Sequence, residues 1–420
     1  MIAIDFGTTN TSVAVFSEGD VAPRLQSLEY ADPDSYNHQV LPSSICECET
    51  LECRGKSFTY GHEALRHGIE LSHNTSLLQE MKLHFDRSTI EPASLVETKH
   101  IIALREEGGV LNPVTRVQRV PIYEGDVPLQ PKDFVPATAK LITEAIRRSD
   151  VNPADRNEVV IGVPASFGAV GIRRLREAAK IGAFGKNAGY EKIFLYFEPL
   201  AAARSYMNIT KGNILVLDYG GGTLDITVMN IKEPGQFDKA QKVFSGFPEG
   251  GSAMDRRILD YCLSKGGNGA REWFQRQSMA TKLRIKRNVE KAKIQLSTQD
   301  NSSVEFPNAA FTPVSLTAPE VSFAIQPIMT RMASKVTQTV VTAVQSIENI
   351  DFVVMSGGTS LNRVVQTNVL AMFGHLSEKQ FILPNANDDS SVESCMCAVA
   401  RGLALLRAEG FAPINVHDLG

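Results

Sequence analysis

The sequence predicts an α/β protein built from two related halves, and three observations carry that expectation. Strand-like and helix-like patterns alternate along the chain, as they do in α/β architectures. Residues 2–15 and 215–228 are near-copies of each other. One reads Ile2-Ala3-Ile4-Asp5-Phe6-Gly7-Thr8-Thr9-Asn10-Thr11-Ser12-Val13-Ala14-Val15, the other Leu215-Val216-Leu217-Asp218-Tyr219-Gly220-Gly221-Gly222-Thr223-Leu224-Asp225-Ile226-Thr227-Val228. Finally, 420 residues with 43% hydrophobic and 21% charged content are those of a globular chain long enough for two sizeable cores.

Each copy reads as a strand, a tight turn and a returning strand. The glycines let the turn backbone approach a ligand and aim its N–H groups outward. Small hydroxyls add donors, and a carboxylate stands at the end of the strand. One such turn is an ordinary hairpin. Two predict a duplicated domain that closes two phosphate loops on one nucleotide.

Taken in order, the strand-like stretches are 2–6, 11–16, 158–163, 193–197, 213–218, 224–230 and 352–356. The helix-like stretches are 62–70, 136–149, 169–182, 199–206, 253–264, 280–297, 324–347, 361–374 and 390–408. Residues 97–135, rich in turn residues, proline and charge, read as an irregular insertion. Residues 409–420 carry Gly, Pro and Asn and are expected to fray.

The formal net charge of −4 gives no bulk positive field for nucleic acid or anionic lipid. No apolar run is long enough to span a bilayer, and the first residues enter a strand with no signal-peptide core. The expectation is a cytoplasmic protein with no nucleic-acid or membrane partner. Six cysteines do not make a disulfide framework. Cys46, Cys48 and Cys53 form a C-x-C-x4-C cluster without a recognisable fourth ligand, although His62 is not far. Cys46 and Cys48 fit one face of a strand equally well, and packing is the reading preferred. Cys395 and Cys397 read as packing residues in a helix. The eight histidines are scattered and form no metalloprotease or hydrolase pattern.

Five segments, in order, carry a more specific signal. Asp5-Phe6-Gly7-Thr8-Thr9-Asn10 and Asp218 through Asp225 (D-x-G-G-G-T-x-D) open it. Tyr196-Phe197-Glu198-Pro199-Leu200-Ala201-Ala202-Ala203 follows a strand, and Pro199 suits a first helical turn, where a missing N–H costs nothing. Glu249-Gly250-Gly251-Ser252-Ala253-Met254-Asp255 is a glycine turn before a helix, and Val353-Val354-Met355-Ser356-Gly357-Gly358-Thr359-Ser360 is a strand and a Gly-Gly corner. Together these resemble the nucleotide-binding region of the heat shock protein 70 family, within the actin-like ATPases. The resemblance spans residues 2 to about 404. It implies the actin-like ATPase fold, with two ribonuclease-H-like lobes and inserted subdomains around a nucleotide cleft.

The resemblance also implies roles. Asp5, Asp218, Glu198 and Asp225 would serve Mg²⁺, mostly through water, in keeping with a cation that retains its hydration. Gly7, Thr8, Thr9 and Asn10 form the first phosphate loop, and Gly220, Gly221 and Gly222 the second. Thr223 would touch the γ-phosphate or the attacking water. Lys82, in Leu78-Gln79-Glu80-Met81-Lys82-Leu83, falls where the family places a lysine that neutralises charge on the transferring phosphoryl. Gly250 and Gly251 retain the family's turn, while Ser252 and Ala253 replace its acidic pair. Glu290, Lys293 and Ser297 share one helical face, which fits either the ribose and adenine contacts of the family or a charged outer face. Ile294 stands where the family has an arginine that stacks on the base, and Leu361 replaces a basic residue. Gly357, Gly358 and Thr359 would approach base and ribose, and Asp389 aligns with an acid that contacts adenosine. In Ile161-Gly162-Val163-Pro164-Ala165-Ser166-Phe167, Ser166 replaces the family's tyrosine.

The domain expectation is a first lobe over 1–208 with an insert at about 40–130, a second over 209–385 with an insert at about 248–324, and 386–420 as a helix returning to the first lobe plus a tail. After residue 408 there is no Leu-rich acidic linker and no β-sandwich sequence, so a peptide-clamping cycle is not expected of this chain alone. The functional expectation is an ATP/ADP-binding protein with Mg²⁺-dependent hydrolysis coupled to lobe closure and a protein partner of unknown identity. Two others stay open: a nucleotide-bound scaffold with little turnover, and a pathway enzyme or small-molecule kinase on the same scaffold.

Overall fold

The computed structural model describes residues 1–17, 19–28, 39–48, 58–70, 75–78, 81–85, 96–107, 110–121, 131–149, 158–185, 192–206, 211–233, 241–267, 269–307 and 311–415. The first copy of the repeat folds as β1 (Ile2–Phe6) and β2 (Asn10–Val15), antiparallel, with Asp5 opposite Ser12. Short strands β3 (Arg24–Leu25) and β4 (Val40–Pro42) both pair with β2. Next comes a small sheet of β5 (Ile45–Cys48) between β6 (Phe58–Tyr60) and β7 (Thr75–Leu78), with α1 (Gly61–Glu70) between the last two. Cys46 and Cys48 occupy alternate positions of β5, and Cys53 lies outside the described residues.

Residues 97–135 correct the sequence expectation. In place of an irregular insertion, β8 (Val96–Glu107) and β9 (Val110–Pro121) pair along their full length as an antiparallel hairpin. Helix α2 (Pro131–Arg148) then begins within the segment. The Gly108-Gly109 dipeptide between the strands is a hairpin signal that the density of charge and proline obscures. The first sheet is completed by β10 (Val159–Val163), α3 (Ala169–Phe184) and β11 (Ile193–Phe197), followed by α4 (Glu198–Ser205). Its order is β11-β10-β1-β2-β3, with β1, β10 and β11 parallel.

The second copy repeats that plan. β12 (Gly212–Tyr219) and β13 (Leu224–Ile231) are antiparallel, and β14 (Gln241–Phe247) extends β13. Helices α5 (Gly251–Lys265), α6 (Ala270–Gln275) and α7 (Met279–Gln295) and the hairpin β15 (Asn301–Val304) with β16 (Val314–Thr317) intervene. Then come α8 (Ala318–Val344), β17 (Phe352–Ser356), α9 (Arg363–Met372) and β18 (Phe381–Ile382). The sheet order β14-β13-β12-β17-β18 follows the plan of the first sheet around its central hairpin. Helix α8 starts earlier than its apolar period indicates because Thr317 and Glu320 form a capping box. The single helix expected over 390–408 is two, α10 (Asp389–Met396) and α11 (Ala398–Ala408), interrupted at Cys397.

The layering follows from strand alternation, since successive side chains point to opposite faces. In β1, Ile2, Ile4 and Phe6 enter the core shared with α2 and α3, while Ala3 faces the other way. In β12, Leu215, Leu217 and Tyr219 enter the core under α5, α8 and α9, while Ile214 and Val216 face back toward Ala3. Between the two sheets lie α4 and α11, contributing Ala201, Ala202, Ala203, Ala400, Leu403 and Ala404 to this middle layer. The architecture is that of an actin-like ATPase. Residues 411–415 do not simply fray: the Ile414 N–H donates to the Leu195 carbonyl at 2.8 Å and the Tyr196 hydroxyl to that of Phe411. Residues 416–420 lie outside the described residues. Among the described residues no helix is long and apolar enough to cross a membrane.

A Cβ added at Gly402 would stand 1.8 Å from the backbone carbonyl oxygen of Ala201. Gly402→Ala should therefore destabilise the fold by about 1–3 kcal/mol through overpacking. Gly374→Ala, where nothing lies within 4 Å, should change little. Urea unfolding of the two variants against the parent protein measures the contrast.

Candidate functional site

The two turns are built alike. The Gly7 N–H donates to the Asn10 carbonyl at 2.9 Å, and the Gly220 N–H to the Thr223 carbonyl at 2.9 Å. In each copy the aromatic residue after the aspartate, Phe6 or Tyr219, is buried in the core of its own half. That anchors the strand end and leaves the aspartate at the turn. The loops meet tip to tip: a Cβ on Gly221 would fall 1.8 Å from Thr9 Oγ1, and one on Gly222 would fall 2.3 Å from Thr8 Oγ1. Only glycine allows this approach.

The second loop rests on the start of α5. The N–H groups of Gly250, Gly251 and Ser252 donate to the carbonyls of Gly222, Gly220 and Gly221 at 3.0, 3.1 and 2.7 Å. Unpaired helix-terminal donors thus fix the loop carbonyls on one side. Gly250 and Gly251 hold the loop by backbone, and Ala253 is core. The Thr359 hydroxyl donates to the Gly220 carbonyl at 2.8 Å. Gly357, at φ 82°, brings its corner so close that a Cβ would lie 2.5 Å from the Tyr219 carbonyl oxygen.

Four carboxylates and one ammonium converge behind the loops. Lys82 sits on a 3₁₀ turn, Met81–His84, pinned by Met81 and Phe85, both buried, with the Phe85 ring edge-on to Phe6 at 6.4 Å. Its Nζ forms an ion pair with Glu198, the first residue of α4, and both are 4% exposed. The Glu198 side chain lies over Gly162, where a Cβ would stand 2.9 Å from Glu198 Cγ. Asp218 accepts from the Ser356 hydroxyl at 2.6 Å. Asp225 accepts from the Ala165 N–H at 3.0 Å and from the Thr223 hydroxyl at 3.4 Å. Ser356 and Ala165 are partners the sequence did not single out, because each comes from a distant strand end.

Burial dominates the electrostatics. It pushes the Asp5 carboxyl up to about 8; Lys82 pulls it down, and Glu198 and Asp218 push it further up. It pushes Asp218 up to about 6 against the Ser356 hydrogen bond. Burial also raises Asp225 and Glu198, with Lys82 opposing in both. Burial disfavours the Lys82 charge, but Glu198 and Asp5 outweigh it and raise its pKa. Excess buried negative charge with oxygen donors fits a hard divalent cation. Among the described residues no three His, Cys, Asp or Glu side chains converge closely enough to hold a metal directly.

On α7, Lys293 is buried, Glu290 is partly buried and Ile294 is 37% exposed, whereas Ser297, expected on the same helix, is buried in the turn beyond the helix end at Gln295. Lys293 Nζ pairs with Asp255 at 2.7 Å and reaches the Gly251 carbonyl at 3.4 Å, so this face adjoins the second loop. Asp255, the last residue of the glycine-turn motif, is a partner that the helical spacing alone could not reveal. Leu361 is half-buried beside the corner. Asp389 is exposed in the first turn of α10, and the N-cap position belongs to Asp388, which accepts from the Ser390 N–H. Cys395 and Cys397 are buried packing residues, as expected, and the Cys395 thiol faces the Gly357 carbonyl at 3.2 Å.

The sequence profile of the family described as Hsp70 protein matches residues 138–404. The chain is similar to the chaperone protein DnaK of two strains of Thermus thermophilus, each 30% identical over 397 residues. That covers 89% of this chain and 57% of either relative. It is also 28% identical over 296 residues to DnaK of Deinococcus deserti, covering 65% of this chain and 46% of that protein. The chain thus spans little more than half the length of the Thermus relatives it matches.

The raised carboxyls carry a consequence for stability. An acid whose pKa rises on folding holds its proton more tightly when folded, so stability falls as pH rises above the ordinary aspartate range. The fall should run through about 6 for Asp218 and about 8 for Asp5. Urea unfolding in EDTA should show it, and Asp5→Asn should flatten its upper part. A parent protein equally stable from about pH 4 to about pH 8 would contradict these shifts.

Proposed function

Because the chain belongs to the Hsp70 family, we propose that it binds ATP with Mg²⁺ and hydrolyses it, with closure of two lobes answering to a protein partner. The observation that carries this reading is the convergence of matched turns from both halves on one buried group of carboxylates and Lys82. The lobes are residues 1–208, with an insert at about 40–130, and 209–385, with an insert at about 248–324; residues 386–420 return to the first. The site is cytoplasmic, and neither nucleic acid nor membrane is a partner.

In this reading the backbone N–H groups of Gly7 to Asn10 and Gly220 to Gly222 bind the β- and γ-phosphates. Asp5, Asp218, Glu198 and Asp225 order the water around the cation. The bound cation supplies charge neutralisation on the phosphates. Lys82 opposes negative charge that develops on the transferring phosphoryl group, and Thr223 orients the attacking water. Glu290, Lys293 and Ser297 hold the ribose and base edge, with Gly357, Gly358, Thr359 and Asp389 on the other side. Ile294 and Leu361 give the adenine slot apolar walls, without a cation–π contribution.

Mg-ATP at a hundredfold excess over its dissociation constant should stabilise the fold by about 2.7 kcal/mol, read by thermal denaturation. No shift with ATP, ADP or GTP would sink the binding claim. Lys82→Ala should raise the barrier to turnover by roughly 2.7–4 kcal/mol while leaving ATP affinity nearly intact. ADP release by the pure protein separates the alternatives: a scaffold releases none, and a kinase releases it only with a small-molecule acceptor.

A further inference from the structure

The two halves also meet beside the carboxylate group, where residues that follow β10 and the end of β11 face β13 and β14. β11 ends the first sheet and β14 ends the second, and among the described residues no hydrogen-bond ladder joins them. Three contacts cross instead. The Ala165 N–H reaches Asp225 at 3.0 Å. A Cβ on Gly246 would stand 2.9 Å from the Ser166 Cβ, so the backbone of β14 lies directly against that side chain. The rings of Phe197 and Phe244 pack with centroids 5.6 Å apart and an interplanar angle of 37°.

Phe197 is the N-cap of α4, and the next residue is Glu198. An aromatic N-cap offers no side-chain oxygen to the helix N–H groups, so beyond the β11 ladder, in which Phe197 stands opposite Val163, this corner leans on the packing of its ring. Phe244 is 37% exposed, one of few large hydrophobic side chains left partly in water among the described residues. An aromatic ring placed there adds little core but gives the Phe197 ring a surface to rest on.

We infer that Phe244 is a positioning residue: its ring fixes Phe197 at the start of α4 and so holds the Glu198 carboxylate against Lys82 across a seam that has no ladder of its own. The inference rests on the proposed role of Glu198, but its geometry can be tested without hydrolysis. A change in how the two halves meet along β11 and β14 would reach the Lys82–Glu198 pair through this ring contact.

The test measures acylation of Lys82 by acetic anhydride in the full chain, read by mass spectrometry of its peptide. Lys82 should be protected in the parent protein and label about tenfold faster in Phe244→Ala, the scale of one lost aromatic pair. Phe244→Tyr should restore protection. Phe244→Leu, which keeps an apolar side chain but no ring, should label like the alanine variant. In the same proteins ATP turnover should fall about tenfold in kcat with KM unchanged for Phe244→Ala. Lys82 as protected in Phe244→Ala as in the parent would overturn the inference, as would leucine restoring protection. A parent protein that releases no ADP while the labelling contrast holds would remove the ATPase reading and leave the positioning role standing.

Discussion

The close contact of α4 with α11 is the constraint on which the site depends. At Gly402 the two backbones approach so nearly that no side chain fits, and alanines fill most of the remaining interface. Close-packed interiors tolerate few voids, so small residues here mean short separation. The middle layer is accordingly thin, and each of its faces is covered by one sheet. That spacing lets two loops from different sheets touch at their tips. It also places Glu198, the first residue of α4, within reach of a lysine from the first half.

The carboxylate group is costly by itself. Buried charges are tolerated when paired or when a bound ion offsets them. One ammonium cannot balance four carboxylates, and the upward shifts of Asp5 and Asp218 express that deficit. The halves do not contribute equally. In the strand pairing, Asp5 faces Ser12 but Asp218 faces Asp225. Duplication therefore supplied the frame, and a single difference at equivalent positions made one half richer in acid. In the proposed reading, such a site trades stability for readiness to take up a cation and a phosphate chain.

The second loop is held from several sides. Three N–H groups from the start of α5 and one hydroxyl from Thr359 bind the carbonyls of Gly220, Gly221 and Gly222. Ser356 and Lys293 then tie the adjoining corner and α7 to the same place. The second phosphate loop, the Gly357 corner and the α7 face proposed for the base are thus one connected piece of the second half. Lys82 arrives from the other side on its short turn.

What the sequence determined is local. A turn that must bring its backbone close to a partner needs glycine, and a strand buried on both faces needs an unbroken apolar run, so the two copies, the Gly357 corner and the parallel strands were legible from their residues. The short strands of the small sheet gave too few residues for a period, β14 (Gln241-Lys242-Val243-Phe244-Ser245-Gly246-Phe247) does not alternate apolar and polar residues, and the hairpin over 96–121 was hidden by charge and proline. Tertiary structure alone decided the pairings: Lys82 with Glu198, Asp218 with Ser356, Asp225 with Ala165 and Lys293 with Asp255. Each joins residues from separate elements, and no spacing along the chain encodes a distance that two sheets and a thin helical layer must first create.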